Sequence, residues 1–196
     1  MRNLLKTVPN QLTAARLALI PIMWVLAWMK LPAYIGVGIF ICFVTDVLDG
    51  YIARRLNQVS DFGSKFDSLA DNLLLPSALV WVWLFRPEIY LDNPLICILG
   101  ITLYFASLLL GGFKFKRFAN LHLYSSKAAS VALHLFVSHA LIVNQYSRIF
   151  FYIAAVMFIV SSSETFILQL VSRQVDEHMG SLILVLQRRK SGTNDS

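Results

Sequence analysis

Residues 34–85 read YIGVGIFICFVTDVLDGYIARRLNQVSDFGSKFDSLADNLLLPSALVWVWLF, and the interpretation of this stretch decides the fold. Two long apolar runs enclose a middle that carries carboxylates at regular intervals. Each run is continuous and approaches the roughly 20 residues that a helix needs to cross a bilayer. A half-buried strand would alternate apolar with polar residues, so the pattern specifies two membrane-spanning helices.

The rest of the chain has the same character. Of its 196 residues, 57% are hydrophobic and 14% charged, where soluble domains carry roughly a quarter charged, and the mean hydropathy is +0.65. The expected fold is an all-α polytopic membrane protein, a single domain over residues 1–196 with six transmembrane helices. The spans fall at about 11–31, 33–53, 66–85, 92–112, 127–145 and 148–171. The first has the basic start of a secretory signal, but Asn10, Gln11, Thr13 and Arg16 interrupt it and no small-residue cleavage site follows, so it reads as a retained helix. Residues 1–8 fit either a short interfacial helix or a frayed basic end, and the tail from 175 to 196 is expected in the cytoplasm. Cys42 and Cys97 lie far apart in apolar stretches and read as small hydrophobes. There is no internal repeat of the kind that marks an inverted-repeat transporter.

With the N-terminus in the cytoplasm, only Lys30, Arg86 and Arg148 of the 17 Lys and Arg fall outside. This asymmetry follows the positive-inside rule and puts both termini on the cytoplasmic side of a plasma or inner membrane. The net charge of +6 then reflects basic residues meeting an anionic leaflet, and no nucleic-acid partner is needed to explain it.

The carboxylates keep helical spacing. At 100° per residue, Asp46, Asp49, Gly50 and Ala53 share an arc of about 100° on the second span. Gly63, Asp67 and Asp71 follow at i, i+4 and i+8 on the third, and a loop of about ten residues makes the two spans antiparallel neighbours. Both acidic stripes are expected to face each other near the cytoplasmic surface. Each intramembrane Asp costs about 2.5–3.5 kcal/mol on insertion scales, so a cation must offset the cluster. Hard divalent ions take carboxylate oxygens, and Mg²⁺ combines a few carboxylates with waters and substrate phosphates. Two such ions fit four Asp side chains. Pairing of these acids with Arg54, Arg55 and Lys65 as a solvated loop is the competing interpretation, and it leaves the shared face of Gly and Ala unexplained.

The pattern Asp46-x₂-Asp49-Gly50-x₂-Ala53-Arg54-x₈-Gly63-x₃-Asp67-x₃-Asp71 resembles the complete signature of the CDP-alcohol phosphotransferases. Upstream, VPNQLTAARLALIP (8–21) is similar to the opening of many bacterial members. The resemblance implies that an alcohol hydroxyl attacks a phosphorus of a CDP-linked donor, usually CDP-diacylglycerol, and displaces CMP. It further implies that Asp46, Asp49, Asp67 and Asp71 bind metal, Mg²⁺ or Mn²⁺, with Asp71 also the general base. Gly50, Ala53 and Gly63 would let the nucleotide approach backbone, and Arg54 would contact phosphate. Thr13 and Arg16, one turn apart, are candidates for the same CDP site, Arg16 fitting a membrane anchor equally well. Many members pair through helix faces, so the resemblance also implies a homodimer.

The acceptor is less legible. Lys114, Lys116, Arg117 and Lys127 could bind an acceptor phosphate, although any inner loop attracts basic residues. Lys127 is the preferred candidate because it begins the fifth span beside Ser125 and Ser126 and could reach inward. His122 and Tyr124 could line the same pocket; His134 and His139 read as packing. Glu164, after Ser161, Ser162 and Ser163, is an intramembrane carboxylate and a candidate by default. The PNxLTxxR stretch favours glycerol 3-phosphate, while the fourth span, TLYFASLLLGG (102–112), lacks the Arg-Glu pair usual in phosphatidylglycerophosphate synthases. FDSLAD (66–71) resembles serine enzymes, and LNQ (56–58) with HLYSS (122–126) the inositol ones. Serine, inositol, inositol phosphate and phosphatidylglycerol therefore stay open as acceptors, as does a CDP-aminoalcohol donor. A non-enzymatic divalent-cation-binding protein or transporter is the rival class; it predicts polar residues through the membrane depth, not at one face.

Overall fold

A computed structural model describes residues 7–56, 61–115 and 124–171, with the side chains of 54, 61, 62, 64, 65, 115 and 124 outside that description. The N-terminal basic segment, Lys116, Arg117, His122 and the tail from 175 onward lie outside the described residues. Seven helices follow in order: α1 Val8–Trp28, α2 Pro32–Arg55, α3 Asp61–Phe85, α4 Pro87–Asp92, α5 Pro94–Phe115, α6 Tyr124–Val143 and α7 Arg148–Val171. All but α4 are long and apolar enough to cross a membrane, and no strand occurs among the described residues.

The helix ends shift from expectation for local reasons. α1 begins at Val8, not near residue 11, because Pro9 sits in its first turn, where a missing N–H costs no hydrogen bond. It ends at Trp28, and Lys30 turns the chain with φ 57° before α2. α3 starts at Asp61, five residues before the expected span, which shortens the α2–α3 connection to residues 56–60. The sequence reading missed α4, whose opening Pro87 fixes a helical φ after Arg86.

The described helices fall into two compact units. The first holds residues 7–93 and 134–151, the second 94–133 and 152–171, so that α6 and α7 contribute to each.

In the first unit, α1 packs along α2 and also meets α3, whereas the backbones of α2 and α3 approach each other closely at few places. The acidic stripes of α2 and α3 do meet, and α1 supplies a third wall beside them that the sequence alone did not specify. Its buried stripe runs Pro9, Asn10, Thr13, Arg16, Ile20, Met23, Ala27, polar near the start and apolar beyond. Small residues set the close approaches, as expected where lipid removes the usual apolar driving force. A Cβ on Gly38 would stand 2.7 Å from Met23 Sδ, and one on Gly36 would stand 2.9 Å from the Ser138 carbonyl of α6. Trp24 packs against Trp81 with ring centroids 5.5 Å apart and planes tilted by 59°, and it donates to Ser77 Oγ, fastening α1 to α3. At the far end of α3, Arg86 is buried and donates to the Ala140 carbonyl and to Asn144 Oδ1. His134 stacks on Phe43 and His139 lies against Phe150, so both do pack among aromatics.

In the second unit, Gly100 lies against Phe158 and Ile159, and the Tyr104 ring packs at a tilt against Phe158. Lys114 Nζ donates to the carbonyls of Gln169 and Leu170, closing the end of α7 with a cation where the helix dipole is negative.

Candidate functional site

The α1, α2 and α3 walls meet at a cluster of carboxylates. One oxygen each from Asp46, Asp49 and Asp67 lies within 4.8 Å of the others. Helical spacing explains why: Asp46 and Asp49 are one turn apart on α2, and Asp67 faces them from the early turns of α3.

Arg16 of α1 stands among these acids. Its side chain is 0% exposed, with Nη2 2.7 Å from Asp49 Oδ2 and Nη1 2.8 Å from Asp67 Oδ1 and 3.1 Å from Asp46 Oδ1. Asp71 Oδ1 is farther, at 3.7 Å from Nη1, and Asp71 is not in the tight triplet. Thr13, one turn before Arg16, donates to Asp49 Oδ2 at 3.3 Å and to its own helix at the Pro9 carbonyl. Four negative charges in a low-dielectric setting demand a cation, and this guanidinium answers part of the demand. Arg16 Nε is buried and has no hydrogen-bond partner.

The donor set is all carboxylate oxygen, which suits a hard divalent ion. Bonds of about 2.0–2.6 Å place opposite ligand oxygens about 4–5 Å apart, the scale of this triplet. Gly50 and Ala53 lie on α2 beside Asp49, and Gly63 lies on α3 one turn before Asp67. Arg54 is in the last turn of α2, its side chain outside the description.

Of the expected acceptor residues, Lys127 and Glu164 fall in the second unit, and Lys116 and Arg117 lie outside the described residues. Ser125 Oγ donates to Glu164 Oε2 at 2.5 Å, and Ser161 Oγ bonds Ser126 Oγ at 3.0 Å, so the start of α6 and the second half of α7 share a polar seam. Lys127 does not turn into that seam: its side chain is exposed, because Ser125 and Ser126 take the inward positions. Lys114 is committed to the end of α7, a role that loop position alone did not suggest. The sequence reading also left the place of Arg16 open between anchor and site. Its i+3 spacing from Thr13 was the available signal, and the structure puts both against Asp49.

A sequence profile described as CDP-alcohol phosphatidyltransferase matches residues 6–161. The chain is 42% identical over 74 residues to the CDP-diacylglycerol–glycerol-3-phosphate 3-phosphatidyltransferase of Rickettsia typhi, covering 36% of this chain and 42% of that protein. To the protein of the same name in Bacillus subtilis it is 40% identical over 88 residues, 37% of this chain and 46% of the relative. A cardiolipin synthase (CMP-forming) of Oryza sativa is 40% identical over 79 residues, 39% of this chain and 24% of that protein. The matched stretch thus spans less than half the length of each of these relatives. No solved structure matches.

Proposed function

The chain belongs to the CDP-alcohol phosphatidyltransferase family, and from that membership we propose that it transfers the phosphatidyl group of CDP-diacylglycerol to a polar alcohol, by preference glycerol 3-phosphate. The observation that carries the reading is the convergence of Asp46, Asp49 and Asp67 within 4.8 Å, with Asp71 reached through Arg16. The acceptor preference is supported by the names of the Rickettsia typhi and Bacillus subtilis relatives and by the PNQLTAAR opening.

In this reading Asp46, Asp49, Asp67 and Asp71 hold divalent metal, Mg²⁺ or Mn²⁺, two ions matching four carboxylates in charge. When bound, such ions neutralise a diphosphate and the charge that develops on phosphoryl transfer. Gly50, Ala53 and Gly63 present backbone to the nucleotide, while Arg54, Thr13 and Arg16 serve its phosphates. Asp71 takes the proton from the acceptor hydroxyl. The hydroxyl oxygen then bonds to the phosphatidyl phosphorus as the P–O bond to CMP breaks, and CMP leaves with that electron pair. Glu164 and the basic residues Lys116, Arg117 and Lys127 are the candidates for the acceptor. Both termini and the site face the cytoplasm, residues 1–196 act as one domain, and the protein pairs as a homodimer.

The test is CMP release by the purified full chain, with CDP-diacylglycerol and each of glycerol 3-phosphate, serine, inositol, inositol phosphate and phosphatidylglycerol. Release is expected only with a divalent ion, and fastest with glycerol 3-phosphate. A faster rate with another acceptor reassigns the substrate. Mn²⁺ binding without CMP release from any acceptor would favour the non-enzymatic cation-binding class.

A further inference from the structure

Nη1 of Arg16 lies 2.8 Å from an oxygen of Asp67 and 3.1 Å from one of Asp46, so it fills the space between two carboxylates of different helices. A divalent ion bonded to the same two oxygens at about 2.0–2.6 Å would stand where Nη1 stands. Two cations cannot occupy that one position, and Arg16, which holds it, is itself wholly buried. The rest of the guanidinium is placed differently. Nη2 holds Asp49 at 2.7 Å, toward the α1 side, where Thr13 also donates. Nε is buried without a partner, so this fork is incompletely satisfied where it sits, unlike that of a side chain built only as a tether.

We infer that Arg16 is an exchangeable counter-ion: it neutralises Asp46, Asp67 and Asp71 until divalent metal enters, and metal binding displaces it from them while Asp49 keeps its hold on Nη2. The inference rests on the proposed metal role of the carboxylates and adds a competitor to it. It also gives the released part of the guanidinium an anion to turn toward, the diphosphate that brings its own charge to the site. Arg16 is in this respect a positioning residue. Its charge sets how readily the acids accept metal and makes metal entry depend on movement beside α1.

Equilibrium binding of Mn²⁺ to the detergent-solubilised full chain, read by the electron paramagnetic resonance of free Mn²⁺, tests this without any turnover. Arg16→Gln should bind Mn²⁺ about tenfold more tightly than the wild type, as expected for removing a positive charge a few Å from the ion. Arg16→Lys keeps the charge on a shorter, compact group that cannot fork between helices, and should fall between the two. Thermal unfolding supplies a second readout: Mn²⁺ should raise the melting temperature of Arg16→Gln more than that of the wild type. If Arg16→Gln does not fold, tighter binding by Arg16→Lys carries the same conclusion. Binding by both variants equal to or weaker than the wild type overturns the inference and leaves Arg16 a fixed tether. If neither wild type nor variants bind Mn²⁺, the metal reading itself fails.

Discussion

Arg16 and Asp49 form an ion pair of 2.7 Å in which the arginine side chain is wholly buried and the aspartate nearly so. The pair joins α1 to α2, and Nη1 of the same guanidinium reaches Asp67 of α3 at 2.8 Å, so one side chain ties three helices together at the cluster. Replacing Asp49 by Asn keeps the shape and removes the charge. The remaining acids still compensate Arg16, so the cost should be that of weakening one charged hydrogen bond, about 1.5–3 kcal/mol, not that of an orphaned charge. Thermal unfolding in detergent measures it. Activity should fall much further than stability, because Asp49 is also a proposed metal ligand.

Asp71 differs from its three neighbours. Its oxygen is 3.7 Å from Arg16, the longest of the four distances, and its side chain is 38% exposed, close to the 37% of Asp46 and far above the 8% of Asp49. A group that takes a proton from an incoming hydroxyl must be reachable in this way. Asp71→Asn should lower CMP release by about 10²–10⁴-fold, the usual worth of a positioned base. Mn²⁺ binding by Asp46, Asp49 and Asp67 should persist. A variant with an unchanged rate would remove Asp71 from the base role.

The sequence made the membrane spans and the carboxylate faces legible because both depend on period and length, which a bilayer enforces strictly. Asp46 and Asp49 could be put on one face of α2 by counting alone. The place of α1 could not. Arg16 carries the same residue type whether it anchors at a membrane surface or enters a cluster, and only packing decides. Among the close approaches of α1 to α2 is Gly38 against Met23, a fit between two helices that counting along either helix does not reveal. The direction of Lys127 was illegible for a related reason: Ser125 and Ser126 beside it bond Glu164 and Ser161 of α7, while Lys127 itself is exposed.

Gly36 and Gly38 should respond unequally to alanine. At Gly36 the added Cβ would meet the Ser138 backbone carbonyl at 2.9 Å, which can yield only if α6 moves. Gly36→Ala should cost about 1–3 kcal/mol, as for overpacking elsewhere. At Gly38 the nearest atom is the sulfur of Met23, the adaptable end of a flexible side chain. Gly38→Ala should therefore cost less, and a Gly36→Ala melting temperature no lower than that of Gly38→Ala would contradict the packing described.

The Ser125–Glu164 hydrogen bond, 2.5 Å long, separates a structural from an acceptor role for the carboxylate. A double-mutant cycle with Ser125→Ala and Glu164→Gln should give a coupling of about 0.6–1.7 kcal/mol, the range of hydrogen bonds between membrane helices. If Glu164 only holds α6 to α7, both single variants lose stability and leave the KM for glycerol 3-phosphate unchanged. If Glu164 meets the acceptor, Glu164→Gln should raise that KM several-fold while Ser125→Ala, which removes only the orienting donor, raises it less. An acceptor that leaves its phosphate unchanged also repels a carboxylate at close range, so Glu164 would have to address a hydroxyl. The same variants assayed with inositol, which carries hydroxyls alone, should then show a larger relative change than with glycerol 3-phosphate if the seam reads hydroxyls.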